Sequence, residues 1–367
     1  MKLLTCRIGD LEQVCVLSQD SAKVYPLQKL GLQDATMNDL IRTFTPEKRR
    51  LLQEAAEHGH SCGLDYAQVC KCAPIPHPVG NVICLGENYM QHAEESYRFQ
   101  KVDYHGEQPY AVYFDKKVLR ALGDGEAIDG HLDFVSKLDY EVELAVVLGR
   151  DALHVREEDV GDYIFGYSVA NDVSARDVQY RHKQNFLGKS LDTFFAMGPV
   201  IVTADEFPCP PALSIRSFVN GELRQNSVTD QVFFNIRHIV SELSQGMTLP
   251  AGTILITGTP AGVGMGMDPP CFLKRGDVVT CEIDGLGRIS NPIRSRSVLK
   301  RFLSNPFKGP RRFCHCPPGP RSFDSTAPPG CSFFSPIRIR AGRLSRARLC
   351  PDAAVYLPPL RIRQPIL

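Results

Sequence analysis

From residue 139 the chain reads Asp139-Tyr140-Glu141-Val142-Glu143-Leu144-Ala145-Val146-Val147-Leu148-Gly149, with Val142, Leu144, Val146 and Leu148 alternating against Glu141, Glu143, Ala145 and Val147. A period of two is a strand signal, and apolar residues on both faces beyond Ala145 predict a strand buried on both sides that ends at Gly149. Shorter runs predict further strands: Leu3–Arg7 and Val14–Leu17 around a Gly9-Asp10 turn, Val82–Gly86, Ala111–Phe114 and Thr253–Gly258. Asn220-Gly221 between Phe218 and Leu223 signals a hairpin, and Asp277–Ile283 with Gly287–Ile289 predicts another. Helical spacing appears at Leu40, Ile41 and Phe44, then at Leu51, Leu52 and Ala55 beyond a break at Pro46. It recurs at Ile236, Ile239, Val240 and Leu243, which reads as a core-facing stripe. Asn88 is placed to cap a short helix carrying His92, Glu94 and Glu95. No strand–helix alternation is long enough for a doubly wound sheet, so the chain reads as α+β and rich in strand.

The Pro-rich stretch Ala73–Pro78 is a plausible joint between a small N-terminal α+β domain over 1–75 and a main domain over 79–295. Composition changes the picture mainly at the far end. The formal net charge of +1 hides a basic segment: residues 301–367 hold eleven Arg and one Lys against Asp324 and Asp352, a net +10, and 12 of the 27 prolines. The first 300 residues are correspondingly at −9. The segment 296–367 has neither helical nor strand period and is expected to be disordered. Clustered Arg suits a nucleic-acid-binding arm. An appendage with no selected role is the preferred reading, because the fold completes itself before this segment.

At 367 residues, 43% hydrophobic and 23% charged, the chain is long enough for a real core. No apolar run approaches the ~20 residues that span a bilayer, so no membrane role is expected. Met1–Asp10 lacks the apolar stretch and cleavage site of a secretory signal, and a cytoplasmic location is expected. The 13 cysteines then read as reduced thiols. The Cys-x-Cys pairs at Cys70/Cys72 and Cys314/Cys316 match no common zinc-finger spacing.

The candidate chemistry begins with Glu141 and Glu143. Two residues apart on a strand, they share a face. A third carboxylate on that face, with Asp172 in Asn171-Asp172-Val173-Ser174-Ala175-Arg176 as the candidate, would form an all-oxygen pocket for a hard divalent cation. The bland alternative is an exposed strand end with solvated or salt-bridged glutamates.

Three further segments accompany this set: Gly86-Glu87-Asn88-Tyr89-Met90-Gln91-His92-Ala93-Glu94-Glu95, Gly188-Lys189-Ser190-Leu191-Asp192-Thr193-Phe194 and Gly258-Thr259-Pro260-Ala261-Gly262-Val263-Gly264. In this order, over about 79 to 293, the four closely resemble the fumarylacetoacetate hydrolase family. The resemblance implies a mixed β-sandwich roll with the small domain in front. It also implies a homodimer assembled through the C-terminal domain. By that resemblance Glu141, Glu143 and Asp172 match ligands of Mg²⁺ or Mn²⁺, and His92 and Glu95 match a His/Glu pair on a lid helix that serves as general base. Lys189 matches a lysine that steadies enolate or carboxylate charge. Arg176, Gln179 and Thr259 match substrate contacts, and Lys116 is a weaker match of the same kind. Asp177 reads as structural and Glu94 as solvent-facing.

The implied substrates are 2,4-dioxo acids or 2-oxo and 2-hydroxydienoic diacids of the kind met in aromatic-compound catabolism. The implied reactions are C–C hydrolysis or isomerisation, with oxaloacetate decarboxylation or tautomerisation as the alternative. All pass through a stabilised enolate, so the shared motifs do not separate them. The stretch Arg98–Gly106 departs from the lid sequences expected of the family, which leaves side-chain specificity open. The rival reading is a non-catalytic binding protein whose basic tail contacts nucleic acid.

Overall fold

A computed structural model describes residues 1–295; the Arg/Pro-rich segment lies outside the described residues. Strands β1 (Lys2–Ile8), β2 (Leu11–Leu17) and β3 (Lys23–Pro26) form an antiparallel meander turned at Gly9-Asp10. Helices α1 (Met37–Arg42) and α2 (Pro46–His58) follow. Pro46 separates them by opening α2 at its first turn, where a missing N–H costs nothing, and the Thr45 side chain accepts from Lys48 N–H. Short strands β4 (Leu64–Asp65) and β5 (Cys70–Lys71) lead to β6 (Val82–Gly86), helix α3 (Met90–Gln100) and β7 (Val112–Lys116).

Next come β8 (Ile128–Asp129), β9 (Leu138–Asp139), β10 (Val142–Leu148), β11 (Ile164–Asp172), β12 (Ser174–Ala175), α4 (Arg176–His182), α5 (Asn185–Lys189) and β13 (Phe195–Thr203). The hairpin β14 (Ser214–Val219) and β15 (Glu222–Val228) turns at Asn220 and Gly221, both at positive φ as a two-residue turn of this kind demands. Helix α6 (Ile236–Ser244), β16 (Ile254–Ile256), β17 (Val278–Ile283) and β18 (Gly287–Arg294) complete the described chain.

Two sheets carry the fold, which is mixed α+β and sheet-rich. The large one runs β4-β3-β2-β1-β13-β11-β10-β16-β6-β7, with β5 on β1; the smaller runs β15-β14-β17-β18-β8. The N-terminal strands join the large sheet directly, through the antiparallel pair β1 and β13. Most pairings are antiparallel, and β16 with β6 is a parallel exception.

β10 shows why the sequence folds this way. All seven of its residues are buried. Val142, Leu144, Val146 and Leu148 enter the core that also takes Val279, Cys281 and Ile283 of the smaller sheet. Ala145 and Val147 enter a second core roofed by Met37, Leu40, Ile41 and Leu52 of α1 and α2. Glu141 and Glu143 therefore belong to the second face, where Ala170 of β11 also points.

One local expectation is corrected. Asn88 does not cap α3: its N-cap is Tyr89, without a side-chain hydrogen bond. The Asn88 amide donates to Phe234 O (2.9 Å) and Thr257 O (2.8 Å) and accepts from Phe234 N–H, which ties three distant segments together instead.

Candidate active site

The register of β10 and β11 builds the floor. Glu143 lies opposite Ala170 and Val142 opposite Asn171, and Asp172 N–H donates to Glu141 O at 2.9 Å. Asp172 thus stands across from Glu141, and one oxygen from each of Glu141, Glu143 and Asp172 lies within 4.8 Å of the others. All three are almost wholly buried. Three carboxylates so close demand compensation.

Much of it comes from α4, α5 and β7. Lys189 Nζ, at the C-terminal end of α5, lies 2.5 Å from Glu141 Oε2 and 2.6 Å from Asp172 Oδ2. Arg176, at the start of α4, places Nη2 2.7 Å from Glu141 Oε1 and donates from Nε to Asp139 Oδ2 at 2.9 Å. Lys116 Nζ lies 2.5 Å from Asp172 Oδ1 and donates to Val173 O and Phe194 O. Burial would raise the Glu141 carboxyl, but the Lys189 and Arg176 charges outweigh it and hold the group below the carboxylate range. Burial lowers Lys189, yet Asp172 and Glu141 overcome it and raise the ammonium. Lys116 is lowered by its complete burial, against the pull of Asp172.

Glu143 is different. Among the described residues it has no Lys or Arg within ion-pair distance; Gly258 N–H donates to its Oε2 at 2.6 Å. Burial, then the Asp172 and Glu141 charges, push its carboxyl well above the usual range. Asp172, by contrast, has an ammonium on each oxygen, Lys116 on Oδ1 and Lys189 on Oδ2. A hard divalent cation answers the deficit at Glu143, so the three oxygen donors fit such an ion.

A cavity of about 690 Å³ opens beside this cluster. Six of the residues singled out from the sequence line it: His92, Glu141, Arg176, Gln179, Lys189 and Thr259. Glu95, Lys116, Glu143 and Asp172 are not on its wall. Lys116, fully buried, touches Asp172 rather than the cavity. The Thr259 hydroxyl is already engaged, donating to Val142 O (2.9 Å) and accepting from Gln225 Nε2 (2.7 Å). Gln179 accepts from Arg176 Nη1 (3.3 Å) and donates to Asn185 Oδ1 (2.7 Å).

Helix α3 stands over the cavity. His92 and Glu95 share a face as their i, i+3 spacing predicts, with Nδ1 3.6 Å from Oε2, too long for a direct hydrogen bond. Glu95 instead accepts from Gly262 N–H at 2.9 and 3.1 Å. The loop after β16 is shaped for this: Gly262 is at φ +103, and a Cβ there would sit 2.0 Å from Arg224 O. Glu94 is exposed, and Asp177 holds Ser136 N–H and Oγ.

Sequence reasoning missed Asp139 and Gln225. Asp139 is fully buried, pairs with Arg176 and accepts from Gly264 and Met265 N–H, linking the glycine loop to the floor. Gln225 accepts from Val142 N–H and donates to Thr259 and Pro260. Asp139 lies two residues before Glu141, a signal that was available; Gln225, on a strand with exposed neighbours, offered none.

Residues 81–294 match the family described as fumarylacetoacetate (FAA) hydrolase, C-terminal. Among similar chains, oxaloacetate tautomerase YisK of Bacillus subtilis (strain 168) is 42% identical over 253 residues, 68% of this chain and 82% of the relative. The mitochondrial oxaloacetate tautomerase fahd2 of Xenopus laevis is 42% identical over 290 residues, 75% of this chain and 88% of the relative. Maleylpyruvate hydrolase from Sphingobium sp. SYK-6, solved with manganese(II) and pyruvate, superposes with a TM-score of 0.64 at 27% identity, covering 81% of this chain and 100% of that one.

Proposed function

The chain belongs to the fumarylacetoacetate hydrolase family, and from that premise we propose a divalent-metal-dependent enzyme of small 2-oxo acids, with keto–enol tautomerisation of oxaloacetate its foremost activity. The observation that carries this reading is the buried carboxylate triad beside a cavity that also presents Lys189, Arg176 and His92. The choice of tautomerisation over C–C hydrolysis is supported by the Bacillus and Xenopus relatives, both named for that reaction.

Glu141, Glu143 and Asp172 would hold the ion, Mg²⁺ or Mn²⁺, which when bound supplies Lewis acidity toward the oxygens of a 2-oxo acid. Together with the ion, Lys189 and Arg176 would offset the carboxylates they pair with and favour an anionic substrate. Gln179 offers an amide to its carboxylate. His92 is the proton carrier: it takes a proton from the carbon beside the keto group, and protonation of the keto oxygen completes an isomerisation with no change in composition. At 3.6 Å from His92, Glu95 is spaced to share a water with the imidazole while Gly262 fixes its carboxylate.

A second reading is favoured by size. A cavity of about 690 Å³ is roomier than a four-carbon diacid requires, which suits acylpyruvates or hydroxydienoic diacids. With these substrates His92 and Glu95 would activate water for C–C cleavage, as the name of the Sphingobium neighbour suggests. The deciding experiment follows the decay of enol-oxaloacetate absorbance with Mg²⁺ or Mn²⁺, beside a panel of acylpyruvates and hydroxymuconate-type diacids. Metal-dependent turnover, lost in Glu141→Ala and in excess chelator, is expected. Undiminished turnover in either condition overturns the metal reading.

The same proposal places the chain in the cytoplasm as a homodimer. The cysteines among the described residues are all free, in keeping with a reducing compartment, and no described helix is long and apolar enough to cross a membrane. Cell fractionation, with a mitochondrial location as the competing result, and light scattering test the two assignments.

A further inference from the structure

Glu87 sits where β6 ends and the lid begins, and it has an unusual backbone. It is held at φ +53, a left-handed conformation that residues with a Cβ seldom adopt. The next residue, Asn88, is 1% exposed and pinned to Phe234 and Thr257, so the chain has no freedom to relax on that side. The left-handed step aims the Glu87 side chain at α3. Its Oε1 accepts from Ser96 Oγ at 2.7 Å, and Ser96 in turn accepts from Gln100 Nε2 at 3.1 Å. Ser96 is 4% exposed.

His92, Ser96 and Gln100 follow one another at i, i+4 and i+8 on the face of α3 that lines the cavity, and Glu87 lines it with them. The helix is held by other contacts as well: Glu95 on Gly262 N–H and Arg98 Nη2 on Gly266 O at 2.8 Å. The cavity side has the Glu87–Ser96 bond. The partners are nine residues apart, but the carboxylate is fixed at the end of β6 and the hydroxyl rides on the helix.

We propose that Glu87 is a positioning residue, a carboxylate latch that holds α3 against β6 through Ser96 and so sets where His92 stands over the carboxylate floor. It acts on the helix that carries the proton carrier, without touching the reacting atoms. The role of His92 rests on the reading in the previous subsection; the latch itself rests only on the geometry. The left-handed backbone at Glu87 is then retained for the direction it imparts rather than for local stability.

The test uses the full-length chain in Mg²⁺ and compares Glu87→Gly, Glu87→Gln, Ser96→Ala and the Glu87→Gly/Ser96→Ala double variant. Glycine removes the latch while easing the backbone, so the fold is preserved. The primary readout is amide hydrogen exchange over residues 90–100. Exchange there is expected to rise about tenfold in Glu87→Gly and in Ser96→Ala, with the β10–β11 amides unchanged. The double variant is expected to match either single one, because both remove the same bond. Glu87→Gln, whose amide oxygen still accepts from Ser96, is expected to keep exchange near that of the parent. With oxaloacetate as probe, KM is expected to rise more than kcat falls. Unchanged exchange over 90–100 in both single variants, additive effects in the double variant, or Glu87→Gln behaving as Glu87→Gly overturns the latch. Should the parent chain turn over no 2-oxo acid, the functional reading fails while the exchange series still decides the latch.

Discussion

The floor and the lid of the cavity are built on opposite principles. The floor is two neighbouring strands of a sheet covered on both faces; its carboxylates are set by register and clamped by Lys189, Arg176 and Lys116. The lid is an 11-residue helix of which His92, Ala93 and Ser96 are buried, held where Glu95 accepts from Gly262 N–H, Arg98 donates to Gly266 O and Ser96 donates to Glu87. The difference separates two tasks. A site for concentrated charge needs a scaffold that does not relax, because each unpaired buried ion is expensive. A proton carrier that admits and releases substrate needs an element at the low end of local stability.

The contrast is most exposed at its strongest point. Glu141→Ala strips Lys189 and Arg176 of a shared partner and removes a candidate ligand. A loss of turnover of at least about 10³-fold is expected, together with a fall in thermal stability, read by calorimetry. His92→Ala tests the lid alone: kcat is expected to fall about 10²- to 10⁴-fold while Mn²⁺ affinity, measured by titration calorimetry, stays within about twofold of the parent. A large loss of metal affinity in that variant would erase the division between floor and lid.

Lys116→Met sharpens the comparison within the floor. Lys116 is fully buried against Asp172; its removal takes one of that carboxylate's two cations and leaves Lys189 as the other, and a destabilisation of about 1–3 kcal/mol is expected by thermal unfolding. The smallest effect belongs to the lid. Arg98→Ala deletes the bond to Gly266 O, and about 1 kcal/mol of local stability, seen as faster amide exchange confined to residues 90–100, is expected.

Much of the floor was legible because strand geometry is local. The alternation in residues 141–148 assigned both glutamates to one face, and burial of every β10 residue follows from the apolar run beyond Ala145. Asn220-Gly221 and Pro46 were equally readable, since a two-residue turn and a first helical turn each accept few residue types. The lid was less so. Asn88 reads as a cap because Asn before a helix usually is one, and the hydrogen bonds it makes instead reach Phe234, 146 residues away. Lys116 reads as a substrate contact, and its place against Asp172 depends on how β7 packs beside β11 and α5.

By itself the sequence determined some of the elements, β10 and α6 among them but not β11, β13, α4 or α5, the shared face of Glu141 and Glu143, and the i, i+3 pairing of His92 with Glu95, because these follow from periods of two and 3.6 along a single segment. Only the tertiary structure decided which cation answers which carboxylate, that Asp139 and Gln225 brace the floor, and that Glu87 reaches Ser96. Those outcomes depend on a few ångströms between segments far apart in the chain. Short-range charge and hydrogen bonding are sensitive to that distance, and no local pattern records it.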